Sequence, residues 1–298
     1  MIRYLKHGEI DKAAWDGRLE RCSAPCWYGR SWVLDAASPG WEALLDEDTG
    51  AQMALTWRKR FGIAYLHQPF LLQRIGVFGG DPGPFLKALP KRFRYADIYL
   101  NPGETVVTDH TVRLTEQQNF ELDLSGTVER LRANYAENMR RNLRKEVAAT
   151  MVHEPHIEVE ELLVFLRGSE QFKRWGIDAR RIACMEALLR GAQQRSEGFG
   201  TGIRMEGRLV AAAFFVNWGG RLLFLKGLAN VEGRSVRAMH HLVDKVIEAH
   251  AGSPLLLDFA GTNDADLARF YRGFGARRTV YLRAVINRLP PLVRNLKP

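Results

Sequence analysis

The chain reads as a mixed α/β (α+β) protein of two lobes, each with a mixed central sheet flanked by helices. Its 298 residues exceed the roughly 100–200 of one typical domain. Strand-length apolar segments and helical stretches alternate along it instead of segregating. In its last third a run of antiparallel strands gives way to helix, strand, helix and strand, the order of a βαβ crossover. A chain that is 46% hydrophobic and 26% charged, with three cysteines, is neither disordered, nor collagen-like, nor a disulfide-stapled mini-protein.

The first lobe is expected over residues 1–125. Residues 1–30 read as irregular or helical, anchored by Trp15, Trp27 and Tyr28. Ala51–Trp57, Ile63–Leu66 and Ile75–Phe78 follow, separated by Arg58-Lys59-Arg60 and Pro69, as in a short antiparallel meander. A short helix at Pro84–Leu89 leads to a strand at Tyr95–Leu100, stopped by Asn101-Pro102-Gly103. Val106–Leu114 and Asn119–Leu124 complete the lobe.

The second lobe, 126–298, opens with Thr127 as N-cap of one helix running to about Ala149, with Leu131, Tyr135, Met139, Leu143 and Val147 at i, i+4 spacing. Helices are expected at Val159–Gly168 and Ala179–Gln194. Three strands then follow, Gly202–Met205, Leu209–Val216 and Leu222–Leu225, joined by the hairpin turns Glu206-Gly207 and Gly219-Gly220. A helix (about Ser235–His250), a buried strand (Leu255–Phe259), a helix (Asp264–Gly273) and a last strand (Val280–Ile286) end it.

The formal charge of +9 favours polyanionic partners: nucleic acid, phosphorylated cofactors or an anionic membrane surface. Cys22 and Cys26 have no second cysteine pair to complete a zinc knuckle, and Pro155 keeps His153 and His156 off a shared helix face. No metal is expected, and the cysteines read as reduced and structural. The longest apolar run, Leu209–Val216, is far shorter than the roughly 18–20 residues that cross a bilayer. No apolar signal core follows the charged N-terminus. A soluble cytoplasmic protein is the expectation.

Three segments carry chemistry. In the first, the strand ending at Lys226-Gly227 runs into Glu232-Gly233-Arg234-Ser235-Val236-Arg237 and a helix. Backbone amides at such a junction, approached closely through Gly233, bind anions; Ser235 is suited to cap the helix, and Lys226, Arg234 and Arg237 add positive charge. The second is Asp258-Phe259-Ala260-Gly261 followed by Ala268-Arg269-Phe270-Tyr271 and Phe274-Gly275-Ala276. The third is the helix Asn134–Lys145, where Arg140, Arg141, Arg144 and Lys145 cluster on adjacent turns. That cluster is either a solvated face partly neutralised by Glu137 and Glu146 or a phosphate-binding surface. His240 and His241, placed mid-helix on different sides, offer no convincing base.

Together these segments resemble the GNAT superfamily of acyltransferases, whose layout is a meander running into a βαβ unit. The Asp-Phe-x-Gly and Ala-Arg-Phe-Tyr segments, with Leu122-Asp123-Leu124 and Asn138-x-Arg140-Arg141-Asn142-x-Arg144-Lys145, are similar to the Fem family of peptidoglycan aminoacyltransferases. The likeness covers roughly residues 120–290, and the first lobe reads as a degenerate second copy. It departs from the superfamily in lacking the Gln/Arg-x-x-Gly-x-Gly/Ala loop and in carrying Ala276 where GNAT proteins have Phe.

The resemblance implies a bacterial N-acyltransferase acting in the second lobe or the groove between lobes. Its donor would be acyl-CoA, with the pyrophosphate at Gly233–Arg237, or aminoacyl-tRNA as in the Fem family. Its acceptor would be a small-molecule or cell-wall-precursor amine. Tyr271 falls where GNAT enzymes keep a tyrosine near the leaving sulfur, and is either that proton donor or a core tyrosine. Asp258 either assists amine deprotonation, orients a substrate amine, or caps the following turn with Thr262. Lys226 either contacts a phosphate, polarises a carbonyl, or is a surface lysine. The polyanion partner implied by Arg140, Arg141, Arg144 and Lys145 is a ligand phosphate, tRNA or a lipid head group. A binding protein that kept the fold and lost the cofactor loop is the non-catalytic alternative.

Overall fold

The computed structural model describes residues 1–102, 112–144, 150–174 and 176–290. Two compact units emerge: Met1–Gln118 with the chain from Val280 onward, and Asn119–Thr279. The expected boundary after residue 125 therefore falls inside the second unit, and the last strand groups with the first.

In the first unit the order is β1 (Ile2–Leu5), α1 (Lys12–Arg21), α2 (Ser31–Ala37), β2 (Glu42–Asp46), β3 (Gln52–Leu55), β4 (Trp57–Arg60), β5 (Ile63–His67), β6 (Val77–Phe78), α3 (Pro82–Ala88) and β7 (Phe93–Tyr99). Strands β1-β2-β3-β6 form an antiparallel sheet. β5 pairs antiparallel with β4 and parallel with β7. Strand β8 (Val112–Asp123) leads into the second unit. Its first residues lie within the expected Val106–Leu114 segment, the earlier part of which lies outside the described residues.

The second unit continues with α4 (Val128–Ala133), α5 (Glu137–Leu143), β9 (Met151–Ile157), α6 (Val159–Gly168), α7 (Glu170–Arg174), α8 (Ala179–Gln194), β10 (Gly198–Met205), β11 (Arg208–Trp218), β12 (Arg221–Ala229), α9 (Val231–Ser235), α10 (Ala238–His250), β13 (Leu256–Asp258) and α11 (Ala265–Gly273). Its strand order is β8-β13-β12-β11-β10-β9, antiparallel except for the parallel pair β12–β13. The α9–α10 segment is the crossover that a parallel pair requires. Strand β14 (Arg277–Asn287) then carries the chain back and pairs with β7 through Arg283–Asn287.

The expected single helix from Thr127 is two. Tyr135 sits in the link, buried, its hydroxyl donating to Asp244 of α10 at 3.0 Å. Arg132 holds the same carboxylate through Nε and Nη2 at 3.0 and 2.7 Å. This tertiary anchoring overrides the periodic pattern. Lys145, Glu146, Val147 and Ala149 lie outside the described residues. The unit's core wraps β11, whose residues from Val210 to Val216 are all buried, which accounts for its continuous apolar run. Among the described residues no helix is long and apolar enough to cross a membrane.

Candidate functional site

Strands β12 and β13 pair only from Arg221↔Leu256 to Leu223↔Asp258. Beyond that point the two part. A bulge at Leu225, where Phe214↔Lys226 gives way to Phe215↔Phe224, adds local twist to β12 at the same place. The divergence opens a cleft of about 440 Å³. Its floor is Phe224 to Ala229; one wall comes from α9 and the start of α10, the other from Phe259-Ala260-Gly261 and α11. Past Leu223 the edge of β12 that faces away from β11 has no strand partner among the described residues. Main-chain amides on that edge are therefore available to a ligand carbonyl.

Of the residues singled out from sequence, Lys226, Gly233, Arg234, Arg237 and Tyr271 line this cleft. Burial pulls the Lys226 ammonium down to about 8. The guanidinium of Arg234 donates to the Ala229 carbonyl at 2.9 Å. Arg237 is the N-cap of α10, in the left-handed region at φ 63°, a conformation that costs a non-glycine residue about 1 kcal/mol or more and clusters at functional sites. It gives no side-chain cap; the His240 amide donates to the Arg237 carbonyl at 2.9 Å, while the amides of Ala238 and Met239 precede any intrahelical acceptor, at the positive end of the helix dipole.

Gly233, Ser235 and Val236 have other duties. A Cβ on Gly233 would sit 2.1 Å from the Val210 carbonyl oxygen, and its N–H already donates to the Asn230 side chain at 2.8 Å. Glycine is needed there for close packing on β11, so its amide is not the anion donor the spacing implied. Ser235 is exposed, ends α9 and donates to the Glu232 carbonyl at 2.7 Å. It does not cap α10, because α9 intervenes. Val236 packs, partly buried, against the core.

Tyr271 is 4% exposed and its ring stacks on Phe259 at 4.6 Å. Burial, then the nearby Asp258 and Asp264 carboxylates, push its phenol well above the ordinary range. Among the described residues no group hydrogen-bonds the hydroxyl. It is a neutral phenol with its proton uncommitted.

Asp258 is set back from the cleft. It is 1% exposed and does not line the cleft. Its oxygens accept from Arg221 Nη1 (3.1 Å), Asn119 Nδ2 (3.1 Å) and the Ala260 amide (2.9 Å). The last bond holds Ala260 at φ 60°, forming the turn on the cleft wall. Asp258 thus holds the turn that forms the cleft wall. The capping partner is Ala260 and not Thr262, whose hydroxyl instead accepts from the Asp264 amide.

Sequence reading missed the apolar lining: Phe224, Phe259, Phe270 and Leu267. It also passed over His240, which falls in the first turn of α10 and packs edge-on to Phe270 at 4.9 Å on the cleft wall. Only the late start of α10 brings it there. Arg140, Arg141 and Arg144 are not part of the cleft lining. They project from α5, exposed, and none makes an ion pair among the described residues; Lys145 lies outside those residues. His153 sits on β9, its Nε2 2.9 Å from Thr201 Oγ1. Among the described residues no three His, Cys, Asp or Glu side chains are grouped to hold a metal.

Comparison with known proteins defines the class of fold. No family profile matches the chain, and no curated protein sequence does. Among solved structures, FemX is similar over 99% of this chain and 100% of its own, with a TM-score of 0.70 at 12% identity. A tandem GNAT protein from the clavulanic acid biosynthesis pathway is similar over 97% of this chain and 99% of its own (TM-score 0.54, 12% identity). The C-terminal domain of a putative lysylphosphatidylglycerol synthetase from Agrobacterium fabrum is similar over 96% and 94% (TM-score 0.54, 10% identity). The chain has the tandem GNAT fold, with two GNAT-like lobes. The likeness is one of fold.

Proposed function

We propose that the protein is an N-acyltransferase that takes an acyl group from acyl-CoA and delivers it to an amine, with the donor in the β12–β13 cleft of the second unit. The carrying observation is the cleft itself: an apolar slot that ends at Arg234, Arg237 and the uncapped start of α10. Such a site suits a thioester on an apolar arm with a pyrophosphate at its end.

The reaction needs the amine lone pair on the carbonyl carbon, charge stabilisation on the carbonyl oxygen, and a proton for the departing thiolate as the C–S bond breaks. The unpaired edge of β12 and the Lys226 ammonium are suited to the oxygen. Tyr271, neutral and uncommitted, is suited to protonate the sulfur, and the proton lost by the amine restores the phenol. Asp258 and Arg221 hold the wall against which the donor lies.

A Fem-like transferase using aminoacyl-tRNA and acting on a cell-wall precursor is the second reading. The exposed guanidinium groups of α5 favour it, since they offer phosphate contacts that a coenzyme A site does not require. Melting the protein with acetyl-CoA separates the two: ligand linkage raises the melting temperature if coenzyme A binds. No shift at millimolar concentration removes the acyl-CoA reading.

A further inference from the structure

The hairpin of β4 and β5 carries a large exposed aromatic at its tip. Arg60 and Ile63 are its last paired residues, so the turn is Phe61-Gly62, with φ of 49° and 78°. This left-handed pair is the two-residue hairpin turn that Asn-Gly or Gly-Gly fills without strain. Phenylalanine pays twice to be there. Its backbone occupies a region unfavourable to a bulky residue, and its side chain is 87% exposed. Its ring is faced by its own neighbour's guanidinium, Arg60, 5.1 Å from the centroid.

The surroundings are cationic. Arg58, Lys59 and Arg60 precede the tip, and no Asp or Glu occurs between Gly50 and Asp81. Lys59 and Arg60 are exposed and make no ion pair among the described residues. The other strand faces inward: Ile63 and Tyr65 pack against Tyr95, Val285 and Leu289. The hairpin is thus held through its second strand while its tip presents one large apolar ring beside two exposed cations.

We propose that this tip is a contact for an anionic lipid surface, with Phe61 entering the acyl–headgroup boundary and Lys59 and Arg60 meeting lipid phosphates. Cations beside an interfacial aromatic are the arrangement that binds anionic bilayers peripherally. A single-stranded nucleic acid is disfavoured by shape. Its bases need a flat platform or a groove, and the tip is a convex point whose one ring is already faced by Arg60. The inference rests on the first unit alone and stands or falls apart from the acyl-transfer reading.

Vesicle co-sedimentation of the full chain tests it. The protein should pellet with mixed phosphatidylcholine–phosphatidylglycerol vesicles and not with phosphatidylcholine alone, and should be released by salt. Phe61→Leu should keep binding. Phe61→Asn should lose about tenfold in partitioning while melting no lower than wild type, because asparagine relieves the turn. Lys59→Glu with Arg60→Glu should abolish pelleting. Wild type that ignores anionic vesicles at low salt would overturn the assignment. So would Phe61→Asn that binds them undiminished, or Phe61-dependent binding of tRNA in place of vesicles.

Discussion

The Tyr271 hydroxyl has no hydrogen-bond partner among the described residues, so deleting it removes a proton without breaking a bond in the fold. Tyr271→Phe should therefore lower turnover by about 10²–10⁴-fold with donor affinity nearly constant, and its melting temperature should stay close to wild type. Full turnover in this variant would take Tyr271 out of the mechanism. Asp258→Asn should behave in the opposite way. It weakens a buried pairing with Arg221 and loosens the Ala260 turn, costing on the order of 3 kcal/mol, read as a lower midpoint in urea, while residual activity survives in the folded fraction. Lys226 gives a pH signature. Burial lowers its pKa from 10.5 to about 8, so between those values the unfolded chain binds more protons and stability rises with pH. Below about 8 the penalty is complete. Lys226→Met should melt higher than wild type at pH 7, and the gap should close toward pH 10. Donor binding has the reverse trend: if the ammonium meets the donor, affinity falls as pH climbs through 8, and Lys226→Met flattens that fall. A wild-type affinity independent of pH would remove the contact.

At the scale of elements, what could be read in advance was whatever local pattern decides. The hairpins at Glu206-Gly207 and Gly219-Gly220 form with left-handed backbone at all four residues, and β11 is the apolar strand its composition announces. Elements set by distant partners were not legible. Strand β9 contains Pro155 and two histidines and lacks alternation; it is tolerated because it lies at the end of the strand order, where proline forfeits no shared bond. Strands β1 and β2, in stretches without a strand-like run, and the insertion of α9 ahead of α10 were likewise invisible. That insertion is why Ser235 caps nothing and His240 reaches the cleft. The break between α4 and α5 depends on Tyr135 finding Asp244 more than a hundred residues away. It leaves α5 as a short cationic helix, and this has a measurable consequence. If Arg141 and Arg144 meet phosphates, tRNA binding should fall steeply with salt, and Arg141→Glu with Arg144→Glu should flatten that slope at unchanged melting temperature. A slope shared by wild type and variant would leave α5 as a solvated face.

At the scale of the whole molecule, the tandem architecture was legible because each lobe repeats the order of meander, helix and strand. The return of β14 to pair with β7 was not, since no local pattern names a partner so far back in the chain. The cleft was half legible. Its charged rim could be picked out from glycine, arginine and tyrosine spacing, whereas the apolar lining reads in sequence as ordinary core. On the proposed function, this cleft holds a coenzyme A thioester with its pyrophosphate against Arg234, Arg237 and the start of α10. Gly233 is the wrong residue to test it with, because any side chain there collides with Val210 and threatens the fold. Calorimetric titration of acetyl-CoA into wild type and into Arg234→Glu with Arg237→Glu measures the claim directly. Wild type should bind saturably and the variant at least tenfold more weakly, with both proteins melting alike in the absence of ligand. Binding of equal strength to both proteins, or none to wild type at millimolar acetyl-CoA, would contradict it.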